Sequence, residues 1–238
     1  MQGKVVVVTG ATQGIGQYIA RTFAEAGARL ALVDIRPLDK SASVMRELGE
    51  DPLALQGDVG NEGDVERMIG GALDRFGHID VLVNNAGIAT HAAWEQHWPR
   101  IRDMEKSFFD RVMNTNLGGT MLCTKHVLPS MERHGNGHIL NLYGEGRTQP
   151  LGACVYVTSK EAIRVFTRFV AEEEREFGIC ILAVTPGGAI ATEDAPPEVK
   201  AEMPGVESVG NRFVLAAQAG LDLSGNTVTL KDGKLTPS

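Results

Sequence analysis

The sequence predicts an α/β protein built on a doubly wound parallel sheet of about seven strands, with helices on both faces. Short apolar runs alternate along the 238 residues with segments of helical periodicity, and this alternation is typical of parallel strands joined by right-handed crossovers. A glycine-rich loop separates the first predicted strand from the first predicted helix. The sequence contains no internal repeat and no linker, so we expect one domain over residues 1–238.

Seven segments are predicted strands because each is a short apolar run of the length of a buried strand. In chain order they are 4–9, 29–34, 52–59, 79–83, 138–142, 179–184 and 226–230. Five segments carry apolar residues at helical spacing, namely 15–27, 65–76, 108–131, 156–177 and 206–219. In sheets of this kind, ligands bind outside the carboxyl ends of the strands, where the strand order reverses.

The first loop, TGATQGIG at residues 9–16, has the composition of a phosphate-binding turn. Gly10 allows a sharp turn, Gly14 allows the backbone to approach a diphosphate, and Gly16 allows the helix to pack on the sheet. The free N–H groups and the dipole at the start of the following helix favour an anion. The loop therefore predicts a dinucleotide site.

Asp34 ends the second predicted strand. A carboxylate at that place accepts hydrogen bonds from a ribose 2′-hydroxyl and repels a 2′-phosphate. We therefore expect NAD rather than NADP as the cofactor, with the reservation that Arg36 could pair with a 2′-phosphate.

A tyrosine and a lysine four positions apart, Tyr156 and Lys160, lie on one face of a predicted helix. The unperturbed pKa of a tyrosine is about 10, too high for an efficient base near neutral pH. A neighbouring cation lowers that pKa. The pair looks like the working end of an oxidoreductase, in which the tyrosine gives or takes the proton when hydride transfer interconverts a secondary alcohol and a ketone.

Taken together, the motifs of the chain resemble those of the short-chain dehydrogenase/reductase family, classical type, over nearly its whole length. In order they are TGATQGIG (9–16), Asp34, GDV (57–59), NNAG (84–87), VMNTNLGGT (112–120), Tyr156-Val-Thr-Ser-Lys160, PGGAIAT (186–192) and SGNTVTLKDG (224–233). The resemblance implies a Rossmann-like domain, a nicotinamide cofactor, a small alcohol or ketone as substrate, and a homotetramer or dimer formed through the long predicted helices.

The same resemblance implies a set of cofactor-binding residues. They are Gly10, Thr12, Gln13, Gly14, Ile15 and Gly16 in the loop, Asp34, Asp58 and Val59 at the adenosine, Asn85, Ala86 and Gly87 at the ribose, Tyr156 and Lys160, and Pro186, Gly187, Ile190 and Thr192 at the nicotinamide. It also implies that Lys160 hydrogen-bonds the nicotinamide ribose, and that Asn116 holds a water that passes protons to solvent.

The serine that the family carries about thirteen residues before the tyrosine is missing. Either Tyr143 or Gly144 stands at its place. Loss of one such donor typically lowers the rate by about 10²–10³. Tyr143 could supply its phenol as a fourth catalytic residue beside Tyr156, Lys160 and Asn116. Glu145 could contact a hydroxylated or cationic substrate, and substrate or water could also satisfy the reacting oxygen.

Two further segments depart from the family. In 88–110, five side chains could rim the substrate pocket: His91, Trp94, His97, Trp98 and Arg100. The segment 188–208 is short for the family, which predicts a reduced lid over the site.

The remaining features bound the function. A net charge of −7 without a basic run argues against nucleic acid as a partner. No apolar stretch approaches the ~18 residues of a membrane span, and the first residues do not resemble a signal peptide. Three widely spaced cysteines form no metal pattern and suit a reduced, cytoplasmic setting.

Two alternatives to a dehydrogenase remain at this point. Gly144 and the short lid favour a dinucleotide-binding sensor or regulatory protein whose catalysis has decayed. A lyase or epimerase on the same scaffold is less favoured, because the glycine loop and Asp34 still suit a dinucleotide.

Overall fold

The computed structural model describes residues 1–88, 99–144, 152–193 and 195–237. In this part of the chain, one sheet contains β1 (Val5–Thr9), β2 (Arg29–Asp34), β3 (Leu53–Gln56), β4 (Val81–Asn84), β5 (Gly137–Leu142), β6 (Ile179–Val184), β7 (Thr227–Lys231) and β8 (Lys234–Pro237). The strand order is β3-β2-β1-β4-β5-β6-β7-β8. Strands β1 to β7 are parallel, and β8 pairs antiparallel with β7. The predicted α/β fold is confirmed.

The α-helices of the described residues connect these strands. They are α1 (Gly14–Glu25), α2 (Asp39–Glu47), α3 (Glu62–Phe76), α4 (Lys106–Met113), α5 (Gly119–His134), α6 (Cys154–Glu173), α7 (Pro197–Glu202) and α8 (Arg212–Ala216). A π-helical turn, Asn114–Gly118, joins α4 to α5, so the predicted helix over 108–131 is helical throughout but changes its winding in the middle.

The core lies on both faces of the sheet. Val6 and Val8 of β1 pack in one cluster with side chains of α1 and α8, whereas Val5 and Val7 pack in another with side chains of α3 and α5. A strand that is covered on both faces must be apolar at every position, which explains the unbroken valine run. The order of the strands reverses between β1 and β4, so a crevice opens at their carboxyl ends.

One prediction about the C-terminal part was wrong. The single helix expected over 206–219 is a 3₁₀ turn, Val206–Val209, followed by the short α8, because Gly210 adopts a φ of +56° and breaks the helix. The sheet has eight strands, in agreement with the expected sheet of about seven. Asp232 and Gly233 both have positive φ and form a tight hairpin turn that returns the chain as β8.

None of the helices in the described residues combines the length and apolarity of a membrane span. Within the same residues, no group of three or more histidine, cysteine, aspartate or glutamate side chains is arranged to hold a metal ion.

Candidate active site

The loop between β1 and α1 packs so closely against the end of β4 that two of its positions require glycine. Gly10 has a φ of +68°, and a Cβ there would lie 2.8 Å from the Cα of Ala86. A Cβ on Gly16 would overlap the carbonyl oxygen of Gly10. The loop therefore presents backbone rather than side chains to the crevice.

Asn85, directly after β4, holds this loop in place. Its Nδ2 donates to the carbonyl oxygens of Thr9 at 2.9 Å and Gly10 at 3.1 Å. The backbone N–H groups of Asn85 and Ala86 both donate to the Thr9 hydroxyl at 3.0 Å. The amide of Asn85 is thus used to shape the glycine loop.

A cavity of about 470 Å³ lies at the point where the strand order reverses. The structure brings together there these predicted cofactor residues: Gly10, Gln13, Gly14, Ile15, Gly16, Asp34, Asp58, Val59, Asn85, Ala86, Gly87 and Thr192. The predicted residues outside its lining are Thr12, Pro186, Gly187, Ile190, Tyr156 and Lys160. Ile190 is buried in the core, so its side chain serves packing.

Asp34 is buried at the end of β2 and is fully engaged in hydrogen bonds. Its Oδ2 accepts from the backbone N–H of Thr12 at 3.0 Å. Its Oδ1 accepts from the backbone N–H of Arg36 at 3.0 Å and from the Arg36 Nε at 3.3 Å. The carboxylate thereby fixes the glycine loop and holds the arginine beside it.

Asp58 and Val59 form another part of the cavity wall, after β3. The Asp58 Oδ1 accepts from the N–H of Gly60 at 2.8 Å, and the Asp58 N–H donates to Asp64 at 2.9 Å. These bonds define a turn that presents Val59 to the cavity.

The N-terminus of α1 accepts an anion in this structure. The N–H of Gly14 donates to both carboxylate oxygens of Glu193, at 3.0 and 3.1 Å. The carboxylate stands where the free N–H groups of a first helical turn attract negative charge. The glycine cradle and this occupied anion position together fit the diphosphate of a dinucleotide.

Tyr156 and Lys160 lie on α6 beside the carboxyl end of β5, and both are buried, with 6 % and 4 % of their surfaces exposed. The Lys160 Nζ donates to the carbonyl oxygen of Leu142 at 3.0 Å and lies 5.9 Å from the centre of the Tyr156 ring. Burial raises the pKa of Tyr156 to about 12 and lowers the pKa of Lys160 to about 8.

The expected lowering of the Tyr156 pKa by Lys160 and an oxidised nicotinamide therefore stays a prediction, because burial by itself moves this pKa in the opposite direction. Both groups are removed from water, and burial disfavours the charged form of each. Desolvation is the cause of both shifts: it raises the pKa of the phenol and lowers the pKa of the ammonium group.

Gly144 lies directly against the catalytic candidate. A Cβ placed on Gly144 would be 2.8 Å from the Tyr156 hydroxyl oxygen. The phenol thus occupies space that a side chain at position 144 would need, so a hydroxymethyl group cannot be added without moving the tyrosine.

The hydroxyl of Tyr143, the candidate replacement donor, bonds elsewhere. It donates to Oε1 of Glu161 at 2.5 Å, and Oε2 of Glu161 accepts from the Nε of Arg164 at 2.8 Å. Tyr143 is 7 % exposed. This geometry agrees with a strand-end aromatic that ties β5 to α6.

Asn116 lies in the π-helical turn and is fully buried. Its Oδ1 accepts from the N–H of Ile88 at 2.7 Å, and its Nδ2 donates to the Ile88 carbonyl at 3.1 Å and to the Ser159 Oγ at 2.9 Å. Ser159 in turn donates to the carbonyl of Tyr156 at 2.7 Å. Asn116 therefore links the end of β4 to the turn of α6 that carries Tyr156.

Several residues of this site are not among those predicted from the sequence. Some line the cavity, namely Ile35, Ile88, Arg111, Thr115 and Leu142, and two others, Ser159 and Glu193, make hydrogen bonds in the site. Ser159 lies within the Tyr156-to-Lys160 motif. A polar side chain next to the predicted catalytic lysine is a sequence feature from which a role for Ser159 in the site could have been predicted. Glu193 follows Thr192, and nothing in the sequence indicates its partner. Of the predicted pocket rim, Arg100 is exposed, whereas His91, Trp94, His97 and Trp98 lie outside the described residues. Glu145, the possible substrate contact, also lies outside them.

The family model for short chain dehydrogenases matches residues 4–202. The chain belongs to the short-chain dehydrogenase/reductase family. Within this family, an uncharacterized oxidoreductase of Thermotoga maritima is 35% identical over 189 residues, which are 78% of this chain and 72% of that protein. Momilactone A synthase of Oryza sativa subsp. japonica is 35% identical over 225 residues, or 94% and 78% of the two chains.

A solved structure of a candidate short-chain alcohol dehydrogenase from Sinorhizobium meliloti 1021 has the same fold. It superposes with a TM-score of 0.83 and 24% identity, covering 96% of this chain and 95% of that one. Membership of the short-chain dehydrogenase/reductase family makes this chain an oxidoreductase-type protein and implies a nicotinamide dinucleotide as cofactor.

Proposed function

We propose that the protein is a single-domain, NAD(H)-dependent enzyme that interconverts a secondary alcohol and a ketone by hydride transfer. Tyr156 acts as general acid and base, and Lys160 supports it. The observation that carries this proposal is the burial of both side chains, one helical turn apart, beside the carboxyl end of β5. A bound nicotinamide dinucleotide supplies or accepts the hydride and, when oxidised, carries a positive charge on its ring.

The pKa values of Tyr156 and Lys160 suit reduction of a ketone, in which Tyr156 donates a proton. With a pKa of about 12, Tyr156 is a protonated phenol at neutral pH and can donate to a developing alkoxide, which is a stronger base than a phenolate. Lys160, with a pKa of about 8, is still largely cationic at neutral pH and stabilises the phenolate that this donation leaves.

Glycine at position 144 reduces the number of groups that act on the reacting oxygen. Because the Tyr156 hydroxyl fills the space beside Gly144, the phenol takes over both proton transfer and polarisation of the carbonyl. One donor instead of two is expected to give a slower enzyme, in proportion to the roughly 10²–10³ that such a donor contributes.

The preference for NAD rests on Asp34. Its carboxylate lies in the cavity wall and already holds the Arg36 side chain, so the arginine is engaged and a 2′-phosphate would meet a negative charge. The residues that would hold the dinucleotide are those of the glycine loop, Asp34, Asp58, Val59, and Asn85 to Gly87, with Pro186, Gly187, Ile190 and Thr192 toward the nicotinamide.

Homo-oligomer formation through α5 and α6 is part of the proposal. Met121 on α5 and Val165 and Phe169 on α6 are 46%, 43% and 58% exposed. Exposed apolar side chains on adjoining helices are typical of a surface that another copy covers. Light scattering of the purified protein distinguishes a dimer or tetramer from a monomer.

The test is an activity screen on the purified protein with alcohols plus NAD⁺ and ketones plus NADH, followed by nicotinamide absorbance. Turnover that disappears in Tyr156→Phe while NADH binding is retained supports the proposal. Tight dinucleotide binding with no turnover on any substrate would reject it. Preference for NADPH over NADH would reject the assignment of the cofactor.

A further inference from the structure

The segment after β6 sends a carboxylate into the anion position of the glycine loop. Both oxygens of Glu193 accept from the Gly14 N–H, the first amide of α1. The two residues are separated by 179 positions in the sequence. Glu193 is exposed, so water could solvate its carboxylate if it left the Gly14 N–H.

We propose that Glu193 is an internal competitor for the diphosphate of the dinucleotide, which occupies the Gly14 amide in the free protein and withdraws when cofactor binds. This inference rests on the proposed function, because it assumes that the loop takes a dinucleotide. A diphosphate and a carboxylate cannot share one N–H donor, and their like charges repel each other at that distance. The helix terminus favours either anion.

The segment that carries Glu193 is braced by its own hydrogen bonds and anchored in the core by Ile190, which is 2% exposed. We call it the strap: residues 186–193 and 195–205. Two hydrogen bonds have both partners within the strap. The Ala191 N–H donates to the Pro204 carbonyl at 2.8 Å, and the Lys200 Nζ donates to the Glu193 backbone carbonyl at 2.6 Å. Neither bond uses the Glu193 carboxylate, so this side chain can leave Gly14 without breaking either of them.

The strap joins β6 through two glycines with positive φ. Gly187 and Gly188 have φ values of +99° and +131°, a region that other residues rarely adopt and from which glycine rotates at little steric cost. Toward α1, Thr192 also rests on the loop, since a Cβ on Gly14 would lie 3.1 Å from its Cγ2. Glu193 and Thr192 therefore both contact the loop at Gly14.

Cofactor binding and the position of the Glu193 side chain are therefore coupled. A dinucleotide must first displace Glu193, and this competition weakens its apparent affinity. Displacement also releases Thr192, a residue of the predicted nicotinamide end, to settle on the bound cofactor. The Glu193 carboxylate occupies the Gly14 N–H until a competing anion displaces it.

The test compares NADH dissociation constants of the full-length protein, measured by nicotinamide fluorescence, with those of Glu193→Gln and Glu193→Ala. Removing the negative charge from a helix N-terminus is expected to tighten NADH binding by about two- to fivefold. Glu202→Gln is the matched control, because Glu202 is an exposed carboxylate in the same strap, and its affinity should equal that of the wild type. Unchanged or weaker binding in both Glu193 variants overturns the inference.

A second readout does not involve cofactor. In the free protein, amide hydrogen exchange at Gly14 should be faster in Glu193→Ala than in the wild type and in Glu202→Gln, and equal rates overturn the contact itself. If the wild type binds neither NADH nor NADPH, the proposed function fails, and inorganic pyrophosphate becomes the probe. Tighter pyrophosphate binding in Glu193→Gln than in the wild type then supports the competition, and equal binding rejects it.

Discussion

The two sides of the crevice are built in different ways. On the side of β1 and β2, the glycine loop lines the cavity, and the polar side chains Asp34 and Asn85 hydrogen-bond the backbone of the loop and of Arg36. On the side of β5 and α6, Tyr156 and Lys160 are buried ionisable groups whose pKa values burial moves toward the neutral forms.

This difference separates binding from chemistry. The first side is held in place by these hydrogen bonds. We therefore expect it to select a ligand by the ligand's shape and negative charge, which a helix N-terminus favours. The second side holds two buried titratable groups one helical turn apart, which is the arrangement expected of a proton-transfer site. Substitutions should therefore affect affinity on one side and turnover on the other.

The largest expected effect is that of Tyr156→Phe on turnover. Loss of the hydroxyl removes the proton donor, and we expect kcat to fall by about 10²–10⁴. The NADH dissociation constant should change less than about twofold if binding belongs to the other side. Steady-state kinetics and a fluorescence titration on the same preparation measure both. A large loss of NADH affinity would show that the two sides are not separate.

The second prediction concerns pH and Lys160. Its pKa of about 8 lies below that of a free lysine, so the cation that supports the phenolate is present below pH 8 and is lost as pH rises through 8. The rate of ketone reduction should fall by about tenfold per pH unit above that value. In Lys160→Met the rate should be low and free of this step. A wild-type profile that is flat to pH 10 would contradict the assignment.

The third prediction tests the binding side. In Asp34→Ala the loop loses an acceptor and Arg36 loses its partner. We expect about tenfold weaker NADH binding, since hydrogen bonds to charged groups contribute about 1.5–3 kcal/mol, together with a gain in NADPH affinity. Arg36→Ala is the control, which should leave NADH binding nearly unchanged. Retained preference for NADH in Asp34→Ala would show that the carboxylate does not set cofactor choice.

Features that depend on residues close together in the sequence could be predicted from the sequence. The valine run of β1 indicates a strand covered on both faces, and the glycine loop lies within residues 9–16. The Asp-Gly pair at 232–233 is also a hairpin signal, although β8 was not among the predicted strands. Helix α2 was not predicted because its mostly polar sequence buries only Ser41, Ala42 and Met45.

Contacts between distant loops could not be predicted. The proximity of Gly144 to the Tyr156 hydroxyl depends on how the end of β5 meets α6, and the bond between Gly14 and Glu193 depends on the path of the strap. The pKa shifts also follow from burial, which the helical spacing of Tyr156 and Lys160 does not reveal. Motifs therefore indicate the candidate residues of the site, whereas three-dimensional packing determines their protonation.

The fourth prediction uses the contact between Gly144 and Tyr156. In Gly144→Ala, the added methyl group must push the phenol aside, because its Cβ would lie 2.8 Å from the hydroxyl oxygen. We expect kcat to fall by about tenfold, in line with the cost of a small misplacement of a catalytic group. Gly144→Ser carries the same Cβ plus a donor, so it should exceed Gly144→Ala. Equal rates for the two variants would show that a hydroxyl at this place has no role.

The smallest effect is expected for Tyr143→Phe. The Tyr143 hydroxyl donates to Glu161 at the outer end of the site, so its removal costs one hydrogen bond, about 1 kcal/mol in the free energy of unfolding. Turnover should change less than about twofold, because the ring that ties β5 to α6 remains. Chemical denaturation and steady-state kinetics check the two values. A fall in kcat of about 10²–10³, as for a lost donor to the reacting oxygen, would instead give Tyr143 the role of the missing serine. The catalytic side would then have two donors rather than the single phenol of Tyr156.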